Sequence, residues 1–290
     1  MIKTKAYAKF DLAISINPDK MSDGYYPVHY IDCQIDLCDE LVFESAGEAI
    51  EIICDSPELS DYRDNFVYKT AVLFREIVGR KNLGAKITLS KKIPIRAGFG
   101  GGSSDGAATL LGLSRLWEIK LTKDLVKKLS YELGKDFYFS VYGGLGEVIG
   151  KGKDYKIVPL KSKLPDFWLL VVVPREHKPS TKWVYDHLKK DNIDQNSKIE
   201  KLKSAILKHD RMGILNNLTN GFENSVSLYY PVVGVIEDHL TRFGAQAAIM
   251  AGSGLSVVGF FESRSDAKEA KRKFSKMKEI KDTIISKIVD

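Results

Sequence analysis

The chain is 290 residues long, 44% hydrophobic and 28% charged. This is the balance of a globular protein with ample surface to bury, not of a disordered or fibrous chain. Its longest apolar run, 167–173, is too short for a helical membrane span, and the opening residues Met1 to Tyr7 lack the apolar core of a signal peptide, so the cytoplasm is the expected compartment. The net charge of +6 comes from dispersed lysines, which near the C-terminus alternate with acids as on a solvated helix face. A basic balance is compatible with nucleic acid or with an enzyme handling polyanions, and in the tail the solvated helix face is the favoured reading.

Taken in chain order, residues 2–17 and 30–53 alternate apolar and polar and predict strands. Asp64-Asn65 then caps a helix to Gly79, with Val67, Ala71, Phe74 and Val78 on one face. A strand over 85–90, a glycine-rich run and an apolar helix over 107–117 follow. Thr122 starts a second helix, with Leu125, Leu129 and Leu133 inside, and Gly134 stops it. Residues 137–142 and 147–160 read as extended, Pro165-Asp166 as a turn, and 167–173 as a buried strand. The pattern then predicts helices near 180–190, 198–208 and 231–243, with the polar stretch 189–197 a loop or short disordered connection. It also predicts strands near 246–261 and a lysine-rich helix after Ser265. Cys33, Cys38 and Cys54 show no Cys-x-x-Cys spacing and the five histidines no His-x-x-x-His, so neither a disulfide framework nor a zinc site is indicated.

Residues 94–108 read Pro-Ile-Arg-Ala-Gly-Phe-Gly-Gly-Gly-Ser-Ser-Asp-Gly-Ala-Ala. Glycine lets backbone N–H groups approach a ligand closely. The helix that follows adds unpaired N–H groups and the positive end of its dipole. Strand, glycine run and helix start together predict an anion site, with phosphate its usual occupant. The run is not a P-loop, since no lysine follows Gly102, nor the dinucleotide fingerprint, since Ser103 stands where a third glycine or alanine belongs.

What the run resembles is the phosphate motif of the GHMP kinases. Four other stretches extend the resemblance over nearly the whole chain: Lys9-Phe10-Asp11-Leu12, Asp23-Gly24-Tyr25, Leu133-Gly134-Lys135-Asp136-Phe137 and Ala251-Gly252-Ser253-Gly254. Within the superfamily, Gly-Phe-Gly-Gly-Gly-Ser-Ser-Asp is most similar to the 4-diphosphocytidyl-2-C-methyl-D-erythritol kinases of the non-mevalonate isoprenoid route. The resemblance implies an α+β fold of two domains. The first, over 1–160, is like part of ribosomal protein S5 and binds ATP, and the second, over 161–290, is ferredoxin-like.

It also implies an ATP- and Mg2+-dependent phosphotransferase acting on a small alcohol, a monomer or homodimer without nucleic-acid or membrane partners. Lys9 and Asp136 match the family's catalytic lysine and aspartate. Pro94, Ala97, Gly98, Phe99, Gly100, Gly101, Gly102, Ser103 and Ser104 would wrap the ATP phosphates, Ser104 serving also as a magnesium ligand. Asn65 and Lys91 would line the adenine side. Asp105 would either act through the helix N-terminus or simply complement the dipole of the first turn. Asp11, Tyr25, Tyr26 and Tyr185 would meet the acceptor, Tyr25 and Tyr185 sandwiching a cytosine. Asp11 stands where the family has asparagine, and Tyr26 where it has a histidine that reads the base. Those departures keep open a kinase of the mevalonate or phosphomevalonate type. A non-catalytic nucleic-acid-binding protein on the S5-like fold would need neither the Lys9/Asp136 pair nor the glycine run.

Overall fold

In the computed structural model the described residues are 1–22, 26–59, 62–151, 154–191 and 193–289. The first half holds β1 (Ile2–Ile16), β2 (Val28–Glu44), β3 (Ile50–Cys54), α1 (Phe66–Val78), β4 (Ala85–Ser90), α2 (Gly101–Leu116), α3 (Lys123–Leu133), α4 (Lys135–Tyr142), β5 (Leu145–Lys151) and β6 (Asp154–Pro159). There follow β7 (Trp168–Pro174), α5 (Thr181–Asp186), α6 (Asn196–Leu207), α7 (Arg211–Asn216), β8 (Thr219–Asn220), α8 (Glu223–Tyr229), α9 (Val232–Arg242), β9 (Ala247–Met250), β10 (Val257–Phe261), α10 (Arg264–Phe274) and β11 (Ile280–Lys287). The chain forms two compact units whose segments interleave. The first comprises Met1–Lys9, Leu37–Ile95 and Gly100–Gly143, and the second Phe10–Asp36, Arg96–Phe99 and Gly144–Asp290.

In the first unit β4 pairs antiparallel with the end of β2 (Glu40 opposite Ser90) and parallel with β3 (Ile50 opposite Ala85). Four helices cover these strands. Asn65 caps α1 through its side chain, which accepts from Val67 N–H, and Gly79 closes it at φ +70°. Thr122 caps α3 in the same way, accepting from Leu125 N–H. The apolar faces meet in one core that includes Leu41, Phe43, Phe74, Leu110, Trp117, Leu129 and Phe137.

Two local expectations need correction. Residues 137–142, read as extended, form α4. Four aromatics in eight residues carry strand propensity, but Gly134 and Gly143, both at positive φ, bracket the segment. Packing of Phe137 into the core then decides for a helix. Helix α2 starts at Gly101, not at 107, so the second half of the glycine run is the helix's first turn.

In the second unit the start of β2 pairs with β5 (Val28 opposite Gly150), β5 with β6, and β1 with β8 (Ala13 beside Thr219). A separate antiparallel sheet has the order β11-β7-β10-β9, with α9 and α10 packed on it. This βαββαβ course is the ferredoxin-like arrangement that was expected. Phe260 sits in its core, 5.3 Å from Phe167 and 6.0 Å from Phe10 by ring centroids. The short elements α7, α8, β8 and β11 gave no sequence signal of their own.

Candidate active site

Gly100, at φ +61°, precedes α2, and no side chain caps the helix. The N–H groups of its first turn are therefore left for a ligand. A Cβ on Gly100 would stand 2.8 Å from Lys9 Cγ, so the lysine stem lies directly against this glycine. Beyond it, Lys9 Nζ reaches within 3.7 Å of Asp136 Oδ1, while Lys135 Nζ donates to the same oxygen at 2.8 Å. The Lys9 side chain is 5% exposed and that of Asp136 30%. Burial alone would raise the Asp136 carboxyl, but Lys135, then Lys9, hold it well below the usual carboxylate range. Its place in the first turn of α4 acts in the same direction. The result is an ionised carboxylate with one edge open to solvent, beside a helix N-terminus.

Under the loop lies a buried ion cluster. Lys91 Nζ donates to Asp39 at 2.5 Å and to Asp105 at 2.7 Å, and Asp39 also accepts from the backbone of Lys92 and Ile93. Lys91 is raised because its two carboxylates outweigh its burial, and burial, with Asp39 nearby, pushes Asp105 up. A Cβ on Gly101 would sit 3.5 Å from Lys91 Nζ, so the cluster is the floor of the helix start. Asp105 is thus tied to Lys91 and does more than complement the dipole. Asp39 was not foreseen, although the signal was present. It stands on the same strand face as Ile35, Leu37, Leu41 and Phe43, and a carboxylate in such a row needs a cation. Lys135, expected from its place in the motif to alter the surroundings of Asp136, does so as a direct cation partner.

The residues present fit a nucleotide and a hard cation. Asn65 accepts from Val67 with its oxygen while its buried Nδ2 has no hydrogen-bond partner among the described residues, a donor available to a base. Ser104 Oγ on α2 lies 3.2 Å from Ser140 Oγ on α4, two hydroxyl oxygens of the kind magnesium accepts. Ser104 is buried, and Ser103 is the more open hydroxyl. Pro94 is half-buried.

In the second unit, Ala97 and Phe99 are buried and offer only backbone to a ligand. Gly98, at φ +95°, lies on the Ala251–Gly252 backbone, where a Cβ would come within 2.1 Å of the Ala251 carbonyl oxygen. This glycine is required by the neighbouring loop as well as by any phosphate. Asp11 is 1% exposed, with Oδ2 facing Gly252. Tyr26 stacks on Tyr185 at 5.9 Å and 15°. Tyr185 also meets the Tyr30 hydroxyl at 3.3 Å and the Phe222 ring edge-on. Tyr25, expected to pair with Tyr185, lies outside the described residues. His29 is engaged by Glu147 at 2.7 Å and Asn196 at 3.0 Å.

Residues 65–148 match the family described as GHMP kinases N terminal domain, and residues 202–280 match GHMP kinases C terminal. The chain is 38% identical over 256 residues, 88% of its length and 86% of the relative's, to the 4-diphosphocytidyl-2-C-methyl-D-erythritol kinase of Bacillus cereus (strain B4264). A crystal structure of 4-(cytidine 5'-diphospho)-2C-methyl-D-erythritol kinase superposes with a TM-score of 0.81 at 26% identity, covering 100% of both chains. The mevalonate kinase of L. major, in complex with R-mevalonate, has a TM-score of 0.76 at 16% identity over 99% of this chain and 96% of its own, a likeness of fold alone.

Proposed function

This chain belongs to the GHMP kinases and is an ATP-dependent phosphotransferase, and from that premise we propose that its acceptor is 4-diphosphocytidyl-2-C-methyl-D-erythritol. The observation that carries the chemistry is the Lys9–Asp136 pair lying against Gly100 at the uncapped start of α2. The loop and helix N–H groups hold the ATP phosphates, and Asn65 donates to the base. Lys91 supports the loop from the ion cluster beneath it. Asp136 accepts the proton of the acceptor hydroxyl, and Lys9 orients that hydroxyl. Lys135 and Lys9 keep Asp136 ionised, the form that can accept that proton. A magnesium ion, when bound, neutralises charge on the transferred group, and Ser104 would hold it.

Tyr185 and Tyr26 offer aromatic faces to a cytosine. Asp11 flanks the acceptor side. Tyr26 already rests on Tyr185, so a base enters by displacing that contact or by stacking on an outer face. The functional division falls near residue 160, with nucleotide binding before it. Neither nucleic acid nor membrane enters the reading, and a monomer or homodimer suffices. No helix among the described residues is long and apolar enough to cross a membrane.

The test is kcat/KM for the cytidine compound, its uridine analogue, mevalonate and phosphomevalonate. The cytidine compound should lead. Its uridine analogue should be rejected less sharply than by a kinase with histidine at the Tyr26 position, because a phenol presents its donor at a different reach from an imidazole. Turnover of mevalonate or its phosphate alone would remove the acceptor assignment and leave the kinase.

A further inference from the structure

Asn220 ends the short strand β8, which lies parallel to β1 with Ile14 beside Asn220. The residue is 9% exposed, and both its N–H groups and its oxygen are engaged. Nδ2 donates to the Met250 carbonyl at 2.8 Å and to the Gly252 carbonyl at 2.7 Å, while Oδ1 accepts from Phe222 N–H at 2.9 Å. Two acceptors at one end and a donor at the other fix which end of the amide is nitrogen. The carbonyls it holds belong to the turn 250–254, between β9 and β10, where Gly252 and Gly254 stand at φ +53° and +87°. Backbone of that kind has no ladder to support it. Both bonds are buried, so losing the donor would leave two carbonyls dry.

The far side of this turn meets the glycine run. A Cβ on Gly252 would lie 2.6 Å from the Gly98 carbonyl oxygen, and one on Gly98 would lie 2.1 Å from the Ala251 carbonyl oxygen. Backbone therefore rests on backbone. The Gly98–Phe99 peptide is trans, so a carbonyl lying against Gly252 sends the Phe99 N–H the opposite way. We propose that Asn220 is a positioning residue for phosphate binding. By holding the Met250 and Gly252 carbonyls it fixes the turn against Gly98, and so sets the direction of the Phe99 N–H toward a nucleotide phosphate. This rests on the reading of the glycine run as the phosphate site. Asn220 touches no reacting group. Its effect reaches the ligand through backbone contacts, and a hydrogen bond weakens steeply as its donor swings off line.

The experiment is calorimetric titration of the full chain, Asn220→Ser and Asn220→Gln with ATP plus magnesium and with CDP, each protein also melted. Serine keeps an oxygen that can accept from Phe222 N–H but cannot span both carbonyls, and it adds no charge. Glutamine retains both N–H groups on a longer arm. Asn220→Ser should bind ATP about tenfold more weakly, the equivalent of one hydrogen bond, and Asn220→Gln about threefold. CDP affinity should stay within about twofold of wild type in both. In turnover the KM for ATP should rise while kcat holds. A purely structural role predicts a lowered Tm and fewer active molecules, with unchanged affinity in those that remain. Unchanged ATP affinity in folded Asn220→Ser would overturn the proposal, as would equal losses for ATP and CDP. Should Asn220→Ser not fold, Asn220→Gln decides on the same two criteria. A wild-type chain that fails to bind ATP would instead overturn the phosphate-site reading, and the proposal with it.

Discussion

Asp136 takes one ammonium from the residue beside it and another from a strand at the opposite end of the first unit's sequence. Replacing it with Asn, or Lys9 with Ala, should cut turnover by about 10² or more, with ATP affinity near normal in a binding titration. Lys135 has a separable role. Its loss in Lys135→Met should let the Asp136 carboxyl rise toward its ordinary value, so the acid limb of the kcat/KM profile should move to higher pH. The linkage has a definite sign. A carboxyl depressed in the folded state contributes stability that is complete above its unfolded value, about 3.9, and is lost as pH falls further. Lys9 and Asp136 were legible through family resemblance, not through any property of a lone lysine or aspartate. The contact of Tyr26 with Tyr185 was not, because stacking across distant segments leaves no mark on local spacing.

Helix starts were the most readable features, since Asn65 and Thr122 announce themselves chemically. The start of α2 was hidden because glycines and serines disguised its first turn as a loop. That changes what a substitution there reports. A side chain on Gly101 would press on Ile93, and one on Gly102 on the Phe66 ring, at 3.0 and 3.2 Å. Gly101→Val should therefore weaken ATP binding and also lower Tm, and a change in affinity alone would show that the floor of the loop can yield. Gly98→Ala should be the harsher change. With positive φ and a carbonyl in the way, it should cost about 1–3 kcal/mol or more in chemical denaturation. In the second unit, α8 and α9 bring Glu223 and Glu237 together. Burial, with Glu223 beside it, raises Glu237 to about 9, and Glu223 accepts from Met250 N–H of β9. A carboxyl raised in the folded state favours folding below its unfolded value, and that contribution is lost as pH climbs toward 9. Glu237→Gln should thus match wild type near pH 5 and exceed it at pH 8 by roughly 1–3 kcal/mol. Parallel melting curves across that range check it.

The functional division proposed near residue 160 is a separate matter from the compact units, which exchange the chain five times. No composition shift betrays these exchanges, because long strands such as β1 and β2 serve both units without a break in their apolar alternation. A fragment of residues 161–290 lacks β5, β6 and the parts of β1 and β2 that belong to the second unit. It should show little amide dispersion by NMR. A fragment of residues 1–143 contains every segment of the first unit and should retain helical circular dichroism.

That interleaving also sets a timetable for synthesis on the ribosome. The first unit's last segment ends at Gly143, whereas Val28 to Cys33 must wait for Leu145 to Gly150 to be translated before they acquire their partner strand. At roughly 5–20 residues per second, that delay lasts roughly 5–20 seconds. Throughout it, the nascent chain carries the stretch Phe10 to Ile16, every residue of which is destined for the interior, with its final neighbours still unmade. The yield of folded protein should therefore depend more on elongation rate than that of a kinase built from two sequential domains.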